Sequence, residues 1–531
     1  MGNSDTETKL LQQHLNSNSF KNFKILEEKL LQTQNQLIQQ GYINIERSGF
    51  IKKNDSTYTE KWKLNTPIKN ARIKHNNLLH QELLKELNHK HDTLYIYTNF
   101  EGIEKLLKKI NAFYTEKGYV FQEVGLSEIN IKQDLLEAQL KIKQQQQRKV
   151  TTIELKGYES FPKAFLKYKY KIKPGIVFNK EQIAKQTEKI NSLGFASQIK
   201  PPEVLFTKDS TTLYLYLKKK NANTFDGFIG FTNSEGDFQL TGNANLLLKN
   251  NFNAGEELNI HYLNDGKSQT QFSASAKIPF LFNSPIGIAA NLNITKQDSS
   301  FTNNTQEIKL SYQITPSIQT SIGYRAISSN NLTESILIQN QEDFSKTFAT
   351  LNLNYTPASA TSLIKEHSYI EASIGAGNSR TNNSKNRQVF IEAAAAHSFI
   401  LNSRNSIHLQ NNTAYLDSKN YLTNELYRFG GTNSLRGFTE NQLYASFYTS
   451  LQTEYRYLLN PNIYIHSIID FANFSNASDK KFNRNYYSLG FGLGLRNKQS
   501  LLKLSFANGM HENQPFNLQN TIVHISLIIN F

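Results

Sequence analysis

From about Thr224 onward the chain alternates apolar with polar or small residues at a period of two, which limits this part of it to β-structure with two unlike faces. Ile286, Ile288, Ala290, Leu292 and Ile294 interleave with Gly287, Ala289, Asn291 and Asn293. Ile308, Leu310, Tyr312 and Ile314 interleave with Lys309, Ser311 and Gln313; Leu489, Phe491, Leu493 and Leu495 interleave with Gly490, Gly492 and Gly494. Asn/Gly/Asp/Ser turns cut the pattern into 16 segments, many of them ten residues or longer. A soluble sandwich also alternates. Three features favour a membrane barrel: segments long enough to cross a bilayer when tilted, an even strand count, and tyrosine and phenylalanine at segment ends. The pattern predicts an all-β, 16-stranded antiparallel transmembrane barrel over 221–531.

Composition narrows the alternatives. The chain of 531 residues has no cysteine, which removes disulfides, thiolate metal sites and thiol nucleophiles. Mean hydropathy is −0.52, and no run approaches the length of a helical span. The opening stretch, MGNSDTETKLLQQHLNSNSF, lacks the apolar core of a signal peptide. A net charge of +15 raises the question of nucleic acid, but the lysines are spread over 1–220 without an aromatic-basic platform, so no nucleic-acid partner is expected. The 12 histidines include no HExxH, and GxSxG, Walker and dinucleotide motifs are absent. Glu256 and Glu257 read as solvated turn residues. The sequence predicts no enzyme, no cofactor and no metal site.

The region before the barrel, 1–220, repeats one unit. Helical spacing over 20–40 stops at Gly41-Tyr42, and the extended segments YINIERSGFIKK and 57–65 follow. Helix 103–117 stops at Gly118-Tyr119, before VFQEVGLSEIN and DLLEAQLKIK; helix 179–193 stops at Gly194-Phe195, before EVLFTKD and TTLYLYLKKK. The interval from Gly41 to Gly118 is nearly the same as that from Gly118 to Gly194, and each glycine sits where a left-handed helix cap is required. The third unit opens with the strand VTTIELKGY and a short helix near 161–170, and the QQQQ at 144–147 reads as a linker. The resulting β-α-α-β-β order resembles the POTRA domain, with a divergent copy over 1–69 and further copies over 70–147 and 148–220. The resemblance implies periplasmic modules that hand extended polypeptides along by strand addition; the plainer reading is a spacer that holds partner proteins.

Within the barrel, the stretch 427–442, YRFGGTNSLRGFTENQ, lies between an eleventh strand at 404–417 and a twelfth at 441–458. POTRA-like modules, 16 strands and a sixth outer loop with Gly430, Gly431, Leu435, Arg436, Gly437 and Phe438 together resemble the BamA/TamA outer-membrane assembly superfamily, which also includes two-partner secretion transporters. The resemblance implies that Arg436 reaches back into the lumen to pair with an acid on the inner wall, here Asp470. Alternation agrees, since Tyr464, His466, Ile468 and Asp470 share one face while Ile463, Ile465, Ile469 and Phe471 share the other. Gly490, Gly492 and Gly494 on the next strand offer a smooth patch for the loop. The family's proline-glycine turn after strand 14 is replaced by 497–500. The last segment places Val523, Ile525, Leu527, Ile529 and Phe531 on one face and resembles the C-terminal signal by which such barrels are recognised.

The resemblance implies an outer-membrane assembly or translocation factor. Its partners would be unfolded outer-membrane or secreted polypeptides, outer-membrane lipids, and accessory periplasmic proteins or lipoproteins. Client insertion would use the seam between strand 1 (about 224–232) and strand 16 (about 519–531). A dedicated two-partner secretion channel and a passive diffusion pore are the alternatives.

Overall fold

The computed structural model describes all residues except 16, 18, 77, 144, 235–236, 265–268, 298–299, 333–339, 358–367, 477–482, 498–499 and 531, with backbone alone at 228–234, 237–241 and 528–530. Phe531, Gln144 and two residues of the 497–500 turn therefore lie outside the described residues, as does the side chain of Ile529. The chain forms two compact units. One comprises 1–151, 174–182 and 206–211; the other comprises 152–173, 183–205 and 212–531.

In the first unit, helices Asp5–Leu15 and Phe23–Gln39 bury Leu11, Leu30 and Leu37 against Trp62 and Leu64. Glu46–Arg47 pairs antiparallel with Trp62–Lys63, and Gly2 pairs in parallel with Trp62. Next come Asn70–Lys74, helices Gln81–Leu87 and Gly102–Glu116, and strands Glu123–Lys132 and Leu135–Lys143. Leu135–Lys143 lies between its antiparallel and parallel partners, and a hairpin of Lys90–His91 and Tyr95–Asn99 extends the sheet beyond Asn70–Lys74.

The helix-ending glycines are made as the repeat predicts at two of three places. Gly41 and Gly118 have φ of 99° and 88°. The amide of the next residue, Tyr42 or Tyr119, bonds back to Leu37 or Tyr114, as in a Schellman cap. Gly194, at φ 80°, instead follows a 3₁₀ turn, Lys189–Leu193, and not an α-helix end.

The second unit carries the sheet of the third repeat but for its end residues Phe206 and Thr211, in the order Thr152–Gly157, Thr211–Lys219, Ala196–Phe206, and the barrel. The short helix of that repeat is a π-turn, Phe165–Lys169. The 16 barrel strands are antiparallel throughout and close on themselves. They are β1 Thr224–Ser234, β2 Asp237–Lys249, β3 Glu257–Asn264, β4 Gln269–Ile278 and β5 Ile286–Gln297. Then come β6 Phe301–Gln313, β7 Ile318–Asn331, β8 Phe344–Tyr355, β9 Tyr369–Thr381, β10 Lys385–Ile400 and β11 Asn405–Asp417. The last are β12 Phe447–Asn460, β13 Ile463–Ser475, β14 Asn483–Arg496, β15 Ser500–Met510 and β16 Thr521–Asn530. Closure is what a bilayer demands, because an open edge would leave backbone groups unsatisfied in hydrocarbon.

The period-two reading fixes which face is which. Ile308 and Leu310 are 56% and 48% exposed, while the alternating Glu307 and Ser311 are buried. Apolar outside and polar inside is the arrangement of a barrel standing in lipid. One boundary differs from the sequence reading: β12 begins at Phe447, and Leu443–Ala445 instead pairs with Tyr427–Phe429 in a small hairpin separate from the wall. Alternation is the same in a wall strand and a hairpin, so the sequence cannot separate them.

Phe165 of the third repeat packs edge-on against Phe280 of the β4–β5 turn, with centroids 4.9 Å apart. A Cβ on Gly255 in the β2–β3 turn would lie 2.2 Å from that ring. Asn250 donates to the Tyr158 hydroxyl at 2.8 Å, and that hydroxyl donates to Asn253 at 2.7 Å. Glu256 caps the same turn by accepting from the Phe252 and Ala254 amides, and Glu257 pairs with Lys249 at 3.2 Å. These two carboxylates hold the turn and its neighbour together. Burial, with Lys277 and Lys249 nearby, pushes the Lys169 ammonium down to about 8.

Candidate functional site

The segment 418–446 leaves β11, crosses the lumen and returns to β12. Its start is fastened to the wall made by β6 to β10. Glu425 pairs with Lys346 of β8 at 2.5 Å, with side chains only 1% and 3% exposed, and also accepts from Gln388 of β10 at 3.0 Å. Asn424 donates to Ser329 of β7 at 2.8 Å, and Asn303 of β6 donates to the Asn424 carbonyl at 2.7 Å. On the same wall, Arg325 joins Glu307 at 3.2 Å and Glu392 at 2.9 Å, and the Tyr427 hydroxyl donates to Glu392 at 3.2 Å.

The tip is fastened to the opposite wall. Gly430 and Gly431, at φ of 112° and 90°, reverse the chain, and the Gly431 amide donates to the Leu435 carbonyl at 2.9 Å. Leu435 is fully buried beside Phe429, Phe438 and Phe474. This turn aims Arg436 at β13. Its Nε donates to Asp470 Oδ2 at 2.8 Å, its Nη2 to Oδ1 at 2.7 Å, and its backbone amide to Oδ2 at 3.2 Å. Nη1 donates to Glu454 on β12, and Arg456 pairs with the other oxygen of Glu454 at 2.6 Å. Two cations and two carboxylates alternate in a buried chain, so each charge has a partner, and the guanidinium holds Asp470 through two parallel bonds.

Gly437 and Phe438 bring the backbone against the next strands. Gly437 has φ of 81°, and a Cβ there would lie 2.5 Å from the Gly509 amide of β15. Both constraints exclude any side chain at this position. Phe438 stacks on Tyr486 of β14 at 5.3 Å. The Gly437 amide donates to His524 Nε2 on β16 at 3.3 Å.

The inward glycines of β14 serve a different neighbour from the loop. A Cβ on Gly492 would meet the His466 ring at 2.2 Å, and one on Gly494 would meet the Tyr464 ring at 1.9 Å. These two glycines make room for rings of β13, while Gly490 lies against the β15 backbone. Val523 and Ile525, 49% and 58% exposed, face outward on β16, with Leu527 half-buried in the same series. Ile529 pairs through its backbone with Phe225 and Ser500.

Sequence reasoning singled out Arg436 and Asp470 but passed over Glu454, Arg456, His524, Lys346 and Glu425. A signal existed for Glu454 and Arg456: they alternate with Leu451, Tyr455 and Leu459 on β12, so they had to point inward. His524 could be placed inward by the same parity. Nothing local marks Glu425 or Lys346 as partners.

No protein-family model and no curated protein sequence matches this chain. Among solved structures it is similar to CdiB from Acinetobacter baumannii, at 15% identity and a TM-score of 0.55, covering 98% of this chain and 99% of that one. CdiB from Escherichia coli is similar at 14% identity and a TM-score of 0.55, covering 100% of both chains. BamA from Haemophilus ducreyi lacking POTRA domains 1-3 is similar at 14% identity and a TM-score of 0.46, covering 85% of this chain and 96% of that one. Across its whole length, then, the chain has the fold of CdiB: an N-terminal α+β region followed by a 16-stranded antiparallel barrel.

Proposed function

We propose that this protein is an outer-membrane assembly or translocation factor of the BamA/TamA superfamily, with its POTRA-like modules in the periplasm. The modules receive unfolded client chains, and the barrel seam assists their insertion into the lipid. Folding and membrane burial of the client supply the driving force, so the reading needs no cofactor and no catalytic side chain.

The observation that carries this reading is the seam. β1 and β16 pair only from Thr224↔Asn530 to Asp226↔Ile528, whereas each of their other neighbours pairs over eight or more residues. The same register would continue to 233↔521, but no ladder forms there among the described residues. A wall that closes over three pairs is the cheapest place to open, because each further ladder bond would have to be broken in hydrocarbon.

A dedicated polypeptide-secretion channel is the second reading, and the lumen supports it. Two cavities of about 390 and 580 Å³, lined largely by polar side chains, share Lys277, Gln319, Asn354 and Glu371; Phe165 lines the first and Tyr427 the second. Depletion separates the readings. Loss of many outer-membrane barrels supports assembly; loss of one exported protein supports secretion; altered solute leakage with neither loss points to a passive pore.

A further inference from the structure

We propose that the tip of the 418–446 loop is a clamp across the seam, and that His524 is the positioning residue that couples loop docking to seam closure. The inference rests on the seam reading above and adds what holds the seam shut.

His524 lies on β16 within 521–527, where β16 has no ladder partner on β1 among the described residues. Both of its ring nitrogens are taken by the loop. Nε2 accepts from the Gly437 amide at 3.3 Å, so the ring proton sits on Nδ1, which faces the Thr432 hydroxyl at 3.3 Å. The ring is neutral in this arrangement, with one donor and one acceptor each used once. The loop also reaches past the seam: Asn441 donates to the buried Gln269 of β4 at 3.1 Å. A single rigid turn is thereby bonded to β16 on one side of the weak junction and to β4 on the other. Its own position is fixed by Arg436 on Asp470 and by the close approach of Gly437 to Gly509. The missing backbone ladder is replaced, on the lumen side, by side-chain bonds to one loop. Release of the loop from Asp470 would then withdraw the His524 contact and leave β16 held by β15 and by three residue pairs to β1.

The chain has no cysteine, so Thr232→Cys and Ile522→Cys can carry spin labels across the unpaired part of the seam in an otherwise label-free barrel. Distances are measured in purified full-length protein in lipid, without client, on variants that show the folded, heat-modifiable band. His524→Ala is expected to raise the ratio of long to short distances about 5- to 30-fold, the effect of losing two ordinary hydrogen bonds. His524→Gln, whose carbonyl can accept from Gly437, restores the short distance, which a mere packing role would not predict. Adding His524→Ala to Arg436→Ala produces no further shift. Gln269→Ala removes the other end of the clamp without touching β16 and gives the same opening. The clamp is overturned if a folded His524→Ala or Gln269→Ala barrel keeps the wild-type distribution, or if Gln at 524 behaves as Ala does. Because no client is present, such a result leaves the assembly reading standing. A seam that opens in these variants, in a protein whose depletion alters neither barrels nor exported proteins, overturns the assembly reading and leaves the clamp.

Discussion

Removing Arg436 tests the docked loop at its strongest point. Arg436→Ala strips Asp470, whose side chain is 0% exposed, of both guanidinium bonds and takes one of two cations from Glu454. Among the described residues Asp470 then keeps backbone donors, such as the Thr453 amide at 3.4 Å. Deleting one member of a buried ion pair costs about 3–5 kcal/mol because the remaining charge is left without compensation. At about 1.4 kcal/mol per factor of ten, a cost of about 3–5 kcal/mol lowers the docked-to-undocked ratio by about 10²- to 4 × 10³-fold. Asp470→Ala should cost about the same, and the double variant much less than the sum, since the two residues act as a unit. Arg436→Lys keeps the charge but loses the paired bonds, so it should recover only part of the effect. The assay is protease cutting of 427–442 in intact cells, together with the temperature at which the folded band converts on a gel. If both single variants protect the loop and convert at the wild-type temperature, the pair does not hold the loop and the reasoning fails.

Other perturbations reach the same machinery from different sides. Gly437→Ala adds a Cβ 2.5 Å from the Gly509 amide at a φ of 81°, so it should expose the loop to protease as Arg436→Ala does while leaving the 16 strands folded. Glu425→Gln leaves Lys346 buried without its carboxylate and should lower the conversion temperature; Glu425→Leu with Lys346→Met should recover most of the loss, as replacing a whole buried pair often does. Lys169 titrates near 8 when folded, against about 10.4 when unfolded. The unfolded state therefore binds more protons between those values, and stability rises with pH across that window. Chemical unfolding between pH 7.5 and 10.5 should show this contribution, and Lys169→Met should reduce the rise.

Most of the architecture was legible because its cause is local. Period-two alternation needs only neighbouring residues, and it separated Asp470 from Ile469 and set the strand count. Arg436 stood out because a charge between Gly-Gly and Gly-Phe has no use in a wall strand. The caps at Gly41 and Gly118 were legible for the same reason, being bonds within one helix turn. What was hidden depends on the fold having closed. Gly255 marks a turn in the sequence, but its lack of a Cβ matters because Phe165, from the repeat that precedes the barrel, sits against it. Gly492 and Gly494 looked like room for a loop, yet the rings of His466 and Tyr464 fill that room, which depends on the register of β13 on β14. His524 appeared only as part of an amphipathic last strand, and its role follows from the loop that arrives opposite it.

The most direct test of the central claim, that the β1–β16 seam must yield, is a covalent lock. Asp226→Cys and Ile528→Cys place two thiols at a paired position of a chain that otherwise has none. Cells depleted of the wild-type protein and carrying this variant are followed for the level of outer-membrane barrels under oxidising and reducing conditions. Barrel levels are expected to fall when the disulfide forms and to recover when it is reduced, with either single-cysteine variant unaffected. An oxidised, fully locked barrel that sustains wild-type levels would contradict that claim.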